Sequence, residues 1–185
     1  MSSPQPQDPT KVPGNASLPI KEHLCDLLSL PIRNPEYQKK LFASTCMSRM
    51  KLTEVSTRAM VDEPEREEAR VVMELVVHDD MLNLANSVHG GCTAYLVDFC
   101  SSLALVVLRT KQKGELAALS VSQSMNIVFH SPAFLGDTLR IVNSTISMGA
   151  RVMTARTEIW NETHHRLVAT GVHVKMEPSP PKAKM

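Results

Sequence analysis

Apolar and polar residues alternate in six stretches of the chain, and each reads as a β-strand with one face toward a core. They are "MKLTEVSTRAM", "ARVVMELVVHD", "LAALSVSQSMNIVFH", "DTLRIVNSTISMG", "RVMTARTEIW" and "RLVATGVHVKM". In the third, Leu119, Val121, Gln123, Met125, Ile127 and Phe129 fall on one side, with Gln123 the exception. Ser120, Ser122, Ser124 and Asn126 fall on the other. Gly149-Ala150 and "NETHH" are turn signals between later strands and predict antiparallel hairpins. The charged "DEPEREE" reads as a solvated loop. Between the second and third strands the pattern changes. From Gly90 to Leu108 the residues are apolar, small or weakly polar, except Asp98. A helix apolar on nearly every face must be covered all round. The expected fold is therefore α+β, an antiparallel sheet wrapped around one long central helix, with a second subunit closing the rest.

Upstream, "IKEHLCDLLSL" and "NPEYQKKLFASTCMSRM" each read as one helix. Leu24, Leu27 and Leu28 recur at helical spacing, and Asn34-Pro35 opens the second as an N-cap followed by proline. Eight of the twelve prolines stand near the ends: Pro4, Pro6, Pro9, Pro13, Pro19, Pro178, Pro180 and Pro181. The expected organisation is a disordered tail over 1–20, a helical extension over 21–48, the wrapped-helix domain over 49–177 and a second disordered tail over 178–185. Removing Met1–Leu30 should then leave the core intact.

Composition narrows the function. A net charge of +1 gives no electrostatic footprint for nucleic acid or for an acidic membrane surface. An aromatic share of 4% argues against base-stacking platforms. Cys25, Cys46, Cys92 and Cys100 are scattered and read as free thiols. No apolar signal segment opens the chain, and the first arginine is Arg33, so a cytoplasmic location is expected, with a mitochondrial one as the alternative. The run Cys92–Leu108 is short for a bilayer and carries Asp98, so no membrane span is expected. No cluster has metal-ligand spacing, and no GxSxG elbow is present.

Two features carry the candidate chemistry. Burying an unpaired carboxylate is expensive, so Asp98 needs a partner or a function. Gly90 and Gly91 stand where the helix begins, where unpaired N–H groups and positive partial charge could stabilise an oxyanion. Eight residues along one helix is roughly 12 Å of rise. A base must reach its water at about 3 Å. Gly90 and Asp98 of one chain can hardly share a reacting atom, so if they cooperate they come from two subunits across a two-fold axis.

Asn83, six residues before His89, then "VHGG", "TAYLVD" and "SVSQSMNIVFHSPAFLGDTL" resemble the hotdog-fold acyl-CoA thioesterases of the phenylacetate-degradation type, close to the eukaryotic thioesterase superfamily members. The resemblance covers roughly Met50 to Met176. It implies a hotdog fold, a homodimer or homotetramer with shared sites, and hydrolysis of acyl-CoA with no cofactor beyond the CoA of the substrate. Asn83 and the Gly90 N–H would polarise the thioester carbonyl, with Gly91 beside them. Asp98 would be general base or nucleophile, and Ser122 would orient the water. His89 would support the loop or contact the thioester, and His173 would lie near the substrate. Lys175 would meet a CoA phosphate or remain solvated. Asn86 departs from the pattern, standing where the relatives have glycine. Two other readings stay open. A hotdog dehydratase or hydratase would need a catalytic histidine paired with the helix carboxylate, and His89 sits at the helix start instead. A non-catalytic acyl-CoA-binding module would not need Asn83, Asp98 and Ser122 together.

Overall fold

The computed structural model describes residues 4–117 and 119–177. The tail expected over 178–185 lies outside them. Three α-helices precede the sheet: α1 (Leu18–Arg33), α2 (Pro35–Lys40) and α3 (Ser44–Arg49). Then come β1 (Lys51–Ala59), β2 (Glu67–Val76), α4 (Gly90–Lys113), β3 (Val121–Phe129), β4 (Thr138–Met148), β5 (Val152–Asn161) and β6 (Arg166–Met176). The six strands form one sheet in the order β1-β2-β4-β5-β6-β3, and every pairing is antiparallel. Hairpins join β1 to β2, β4 to β5 and β5 to β6. The sheet wraps α4, which is the expected hotdog arrangement.

The hydrophobic pattern of α4 explains its position. Every residue from Ser101 to Leu108 is buried, so the middle of the helix is covered on all sides, while Lys111–Lys113 at its end are exposed. Gly114, in the left-handed conformation at φ 73, ends the helix. By length and composition alone α4 could cross a membrane, but 67% of its most apolar window is buried inside this fold. Its N-terminal half is different. Gly91, Tyr95 and Asp98 share a face at helical spacing and are only partly covered or exposed.

Among the described residues, the segment before α1 is packed against the sheet, which corrects the disordered tail expected there. β1 is an edge strand, and its outer backbone groups would be left open. The Gln7 side-chain amide bonds both the N–H and the carbonyl of Leu52. The Asn15 amide does the same for Thr57. Between them, Val55 N–H donates to Pro13 O and Ala16 N–H to Val55 O. Side-chain amides thus act as peptide surrogates and cap the edge. Gly14 makes the close approach possible: at φ 105, a Cβ would lie 2.2 Å from Val55 O. Ile20, Leu24, Cys25 and Leu28 of α1 join the same core as Leu52, Met73 and Leu96. Removing Met1–Leu30 would therefore uncover the edge of β1 and part of this core.

The second upstream helix is broken in two. Ala43 adopts a left-handed conformation at φ 51, and the Ser44 hydroxyl donates to Gln38 O. The break turns Cys46 and Met47 inward and lays the exposed Phe42 ring edge-on to Tyr95, 5.6 Å between centroids. All four cysteines are free.

The opposite edge of the sheet is open. Among the described residues β3 pairs only with β6. Its apolar side chains remain exposed, Val121 at 52% and Phe129 at 59%. The simple alternation expected for β3 is interrupted by a bulge at Gln123. Ser122 stands opposite Lys175, whereas Met125 stands opposite His173. His173 and Lys175 share a face of β6, so Ser122 and Met125 share a face of β3 despite their odd spacing. The bulge turns Ser122 toward α4.

Candidate active site

Asp98 sits on the uncovered side of α4, beneath the open edge of β3. Its side chain is 42% exposed, which corrects the buried acid expected from its apolar surroundings. The fully buried stretch of the helix is Ser101–Leu108, while Asp98 lies before it, in the part left open. Oδ1 accepts the Ser122 hydroxyl proton at 2.7 Å. No described residue takes Oδ2. One carboxylate oxygen is therefore oriented and the other is free to bind a solvent proton.

His173 lies directly under this carboxylate. It is 0% exposed, and its Nε2 approaches Asp98 Oδ1 at 3.4 Å without forming a hydrogen bond. Nδ1 lies 2.7 Å from the Ser101 hydroxyl. Ser101 has one proton to give, and its other contact, Asp98 O, is longer at 3.3 Å. A proton donated to Nδ1 leaves the ring hydrogen on Nε2, facing Asp98. Burial pushes His173 down to about 4, helped by Lys175 and opposed by the Asp98 charge. The imidazole is neutral near pH 7 and buttresses the carboxylate from below.

Lys175 is neither solvated nor placed for a CoA phosphate. It is 4% exposed and donates to Ser102 Oγ at 2.8 Å and to Ser122 Oγ at 3.4 Å. Ser102 in turn donates to the Asp98 backbone carbonyl at 2.7 Å. Sequence reasoning missed Ser101, Ser102 and the burial of Lys175. The available signals were two serines three and four residues after Asp98, and the period of two linking His173 to Lys175.

The helix start is organised separately. His89 is the N-cap of α4, and its Nδ1 accepts the Gly91 N–H at 2.8 Å. The ring therefore braces the start of the helix. It also occupies the Gly91 N–H, and a Cβ at Gly91 would press on the ring at 3.0 Å. The Gly90 N–H has no partner among the described residues. Among the described residues a Cβ at Gly90 would meet Phe129 at an ordinary 3.7 Å. The space before that N–H is a groove of about 300 Å³ whose lining includes Val88, Gly90, Thr93 and Phe129.

Asn83 shapes the loop before α4. Its Oδ1 accepts the N–H groups of Ala85 and Ser87, at 2.9 and 3.2 Å. This fixes Nδ2 as the outward donor, with one proton toward Ser87 Oγ at 3.1 Å. Asn86 follows at φ 58, in the left-handed region that favours glycine. Asparagine enters that region more readily than other side chains. The departure from glycine at 86 therefore keeps the loop conformation.

Within the chain these candidate residues fall into two groups. Asp98, Ser122, His173 and Lys175 form one cluster, and Asn83, His89, Gly90 and Gly91 form the other. Eight residues of helix, roughly 12 Å, separate Gly90 from Asp98. Among the described residues no group of three His, Cys, Asp or Glu could hold a metal ion.

Comparison with known proteins bears on this geometry. The sequence pattern of the thioesterase superfamily matches residues 85–168. Acyl-coenzyme A thioesterase 13 of Mus musculus is 33% identical over 106 residues, covering 57% of this chain and 71% of that protein. The crystal structure of zebra fish thioesterase superfamily member 2 superposes with a TM-score of 0.63 at 24% identity, covering 83% of this chain and 94% of that one. A hypothetical thioesterase from Streptococcus pneumoniae TIGR4, solved with coenzyme A, superposes with a TM-score of 0.51 at 22% identity, covering 58% and 79%.

Proposed function

Because the chain belongs to the thioesterase superfamily and is a thioester hydrolase, we propose that it hydrolyses acyl-CoA to a free acid and CoA, without metal or added cofactor. The observation that carries the mechanism is the oriented carboxylate: Ser122 holds Asp98 Oδ1 at 2.7 Å and leaves Oδ2 free. Oδ2 removes a proton from water, and the water oxygen attacks the thioester carbonyl carbon. The developing oxyanion is stabilised by the unpartnered Gly90 N–H at the positive end of a helix and by Asn83 Nδ2. Collapse of the adduct breaks the C–S bond, and the thiolate leaves as CoA with the proton Asp98 had taken. The fold shared with a thioesterase solved with coenzyme A supports CoA as the carrier.

The two halves of this machinery come from different subunits of a homodimer. Helix rise keeps them apart within a chain. The unequal sheet edges point the same way, because β1 is capped by Gln7 and Asn15 while β3 is open and apolar. Pairing through the β3 edge brings Asp98 of one chain against Gly90 and Asn83 of the partner subunit.

The test is thiol release from acyl-CoAs running from acetyl to palmitoyl and aromatic forms. Asp98→Ala should lose about 10²–10⁴-fold in kcat while remaining folded. Absence of thiol release across the whole series, or an Asp98→Ala enzyme within a few fold of wild type, contradicts the proposal. One observation favours a hydratase, the approach of His173 to Asp98 at 3.4 Å. That ring is fully buried and tied to Ser101, so it offers no nitrogen to a substrate. Loss of enoyl absorbance without thiol release would favour the hydratase, and binding without turnover would favour a binding module.

A further inference from the structure

Lys175 is a charged side chain placed where packing alone would call for an apolar one. It leaves β6 on the same face as His173 and points at α4. Its ammonium carries donors only. Two of these go to hydroxyl oxygens, Ser102 and Ser122. Ser102 passes its own proton to the Asp98 backbone carbonyl, and Ser122 passes its proton to Asp98 Oδ1. Every donor in this chain is thus aimed at Asp98, from the main chain and from the carboxylate. Burial holds Lys175 below the usual lysine range, and the Asp98 charge opposes that shift. An apolar residue of similar volume would avoid the desolvation cost of the ammonium.

We propose that Lys175 is a positioning residue for thioester hydrolysis, its N–H donation fixing the Ser122 hydroxyl as a donor to Asp98 Oδ1. The proposal rests on the thioesterase reading above, in which Ser122 orients Asp98 and its water. A serine hydroxyl rotates about Cβ–Oγ and can donate in several directions. With Lys175 donating to its oxygen, the orientation that also satisfies Asp98 is selected. Oδ1 is then held, and Oδ2 is left as the basic oxygen facing the water. Lys175 touches neither water nor substrate, and no bond to it forms or breaks.

Lys175→Met should fold and bind substrate with KM within about threefold of wild type, while kcat falls about 10–100-fold, the scale of a misplaced catalytic group. Lys175→Gln, which keeps N–H donors without the charge, should recover part of the loss and serves as the folded variant if the methionine form aggregates. The decisive readout is a double-mutant cycle with Ser122→Ala. If Lys175 acts through Ser122, adding Lys175→Met to Ser122→Ala costs nothing further. In Lys175→Ala, ethylammonium should restore turnover, and tetramethylammonium, which has no N–H, should not. The proposal is overturned if Lys175→Met keeps kcat within threefold while Ser122→Ala is impaired. Losses that multiply in the double variant also overturn it. A Ser122→Ala enzyme as active as wild type removes Ser122 from the mechanism, and the role of Lys175 falls with it. An impaired Ser122→Ala beside an active Lys175→Met removes Lys175 alone.

Discussion

Acid should weaken this fold largely through His173. In the unfolded chain the imidazole titrates near 6.5, and in the folded chain burial pushes it down to about 4. Between those values the unfolded chain holds more protons, so stability falls as pH drops. The contribution is fully present above about pH 6.5 and is lost on the way to pH 4. At 1.36 kcal/mol per unit the whole shift is worth about 3 kcal/mol, of which about 2 is lost by pH 4.5. The neighbours are known from each side: Asp98 and Ser101 on α4, Lys175 on β6, Met125 opposite on β3 and Ala155 opposite on β5. Of these the charged groups are Asp98, which favours the protonated ring, and Lys175, which opposes it. The perturbation is His173→Gln, which removes the titration. The assay is urea unfolding at pH 7 and pH 4.5, at one fixed protein concentration because assembly also contributes to stability. With a slope of about 2 kcal/mol/M, the wild-type midpoint should fall by about 1 M more than that of the variant. Equal falls in the two proteins would refute the assignment of this acid sensitivity to His173.

The other predictions concern backbone and packing. Asn86→Ala, at φ 58, should lose about 1 kcal/mol in chemical denaturation, while Asn86→Gly should stay within about 0.5 kcal/mol of wild type. Equal losses would show that the amide, rather than the conformation, matters there. Deleting residues 1–33 strips the cap from β1 and removes the buried Leu24 and Leu28. Cooperative unfolding should disappear, and a soluble, active remnant would show that the extension is not part of the core.

The six strands were legible because their residues alternate on paper and turn residues bound most of them. The central helix was legible because nineteen apolar, small or weakly polar residues with one acid, Asp98, fit neither a surface helix nor a two-sided strand. The phase of β3 was not legible. A single-residue bulge at Gln123 leaves the alternation intact on paper while moving Ser122 to the other face. The cap on β1 has no periodic signature, since two side-chain amides at Gln7 and Asn15 replace a strand. The separation of Gly90 from Asp98 along α4 was legible from helix rise alone. The floor of the candidate site was not, because lysine is rarely buried and nothing in "GVHVK" marks Lys175 as an exception. The exposure of Asp98 was hidden for the opposite reason. Its sequence neighbours are apolar, but with Gly91 and Tyr95 it lies on the face of α4 that the fold leaves only partly covered.

The central claim is that Asp98 works with Asn83 and Gly90 of another copy of the chain. Asp98→Ala and Asn83→Ala, each folded and inactive alone, can be unfolded together in equal amounts and refolded so that chains pair at random. Half the dimers are then mixed, and each mixed dimer holds one site with both lesions and one with neither. The account predicts thiol release at roughly a quarter of the wild-type rate per site, by random pairing in a two-fold dimer. A mixture no more active than its separate components, with mixed dimers confirmed by mass, would contradict it.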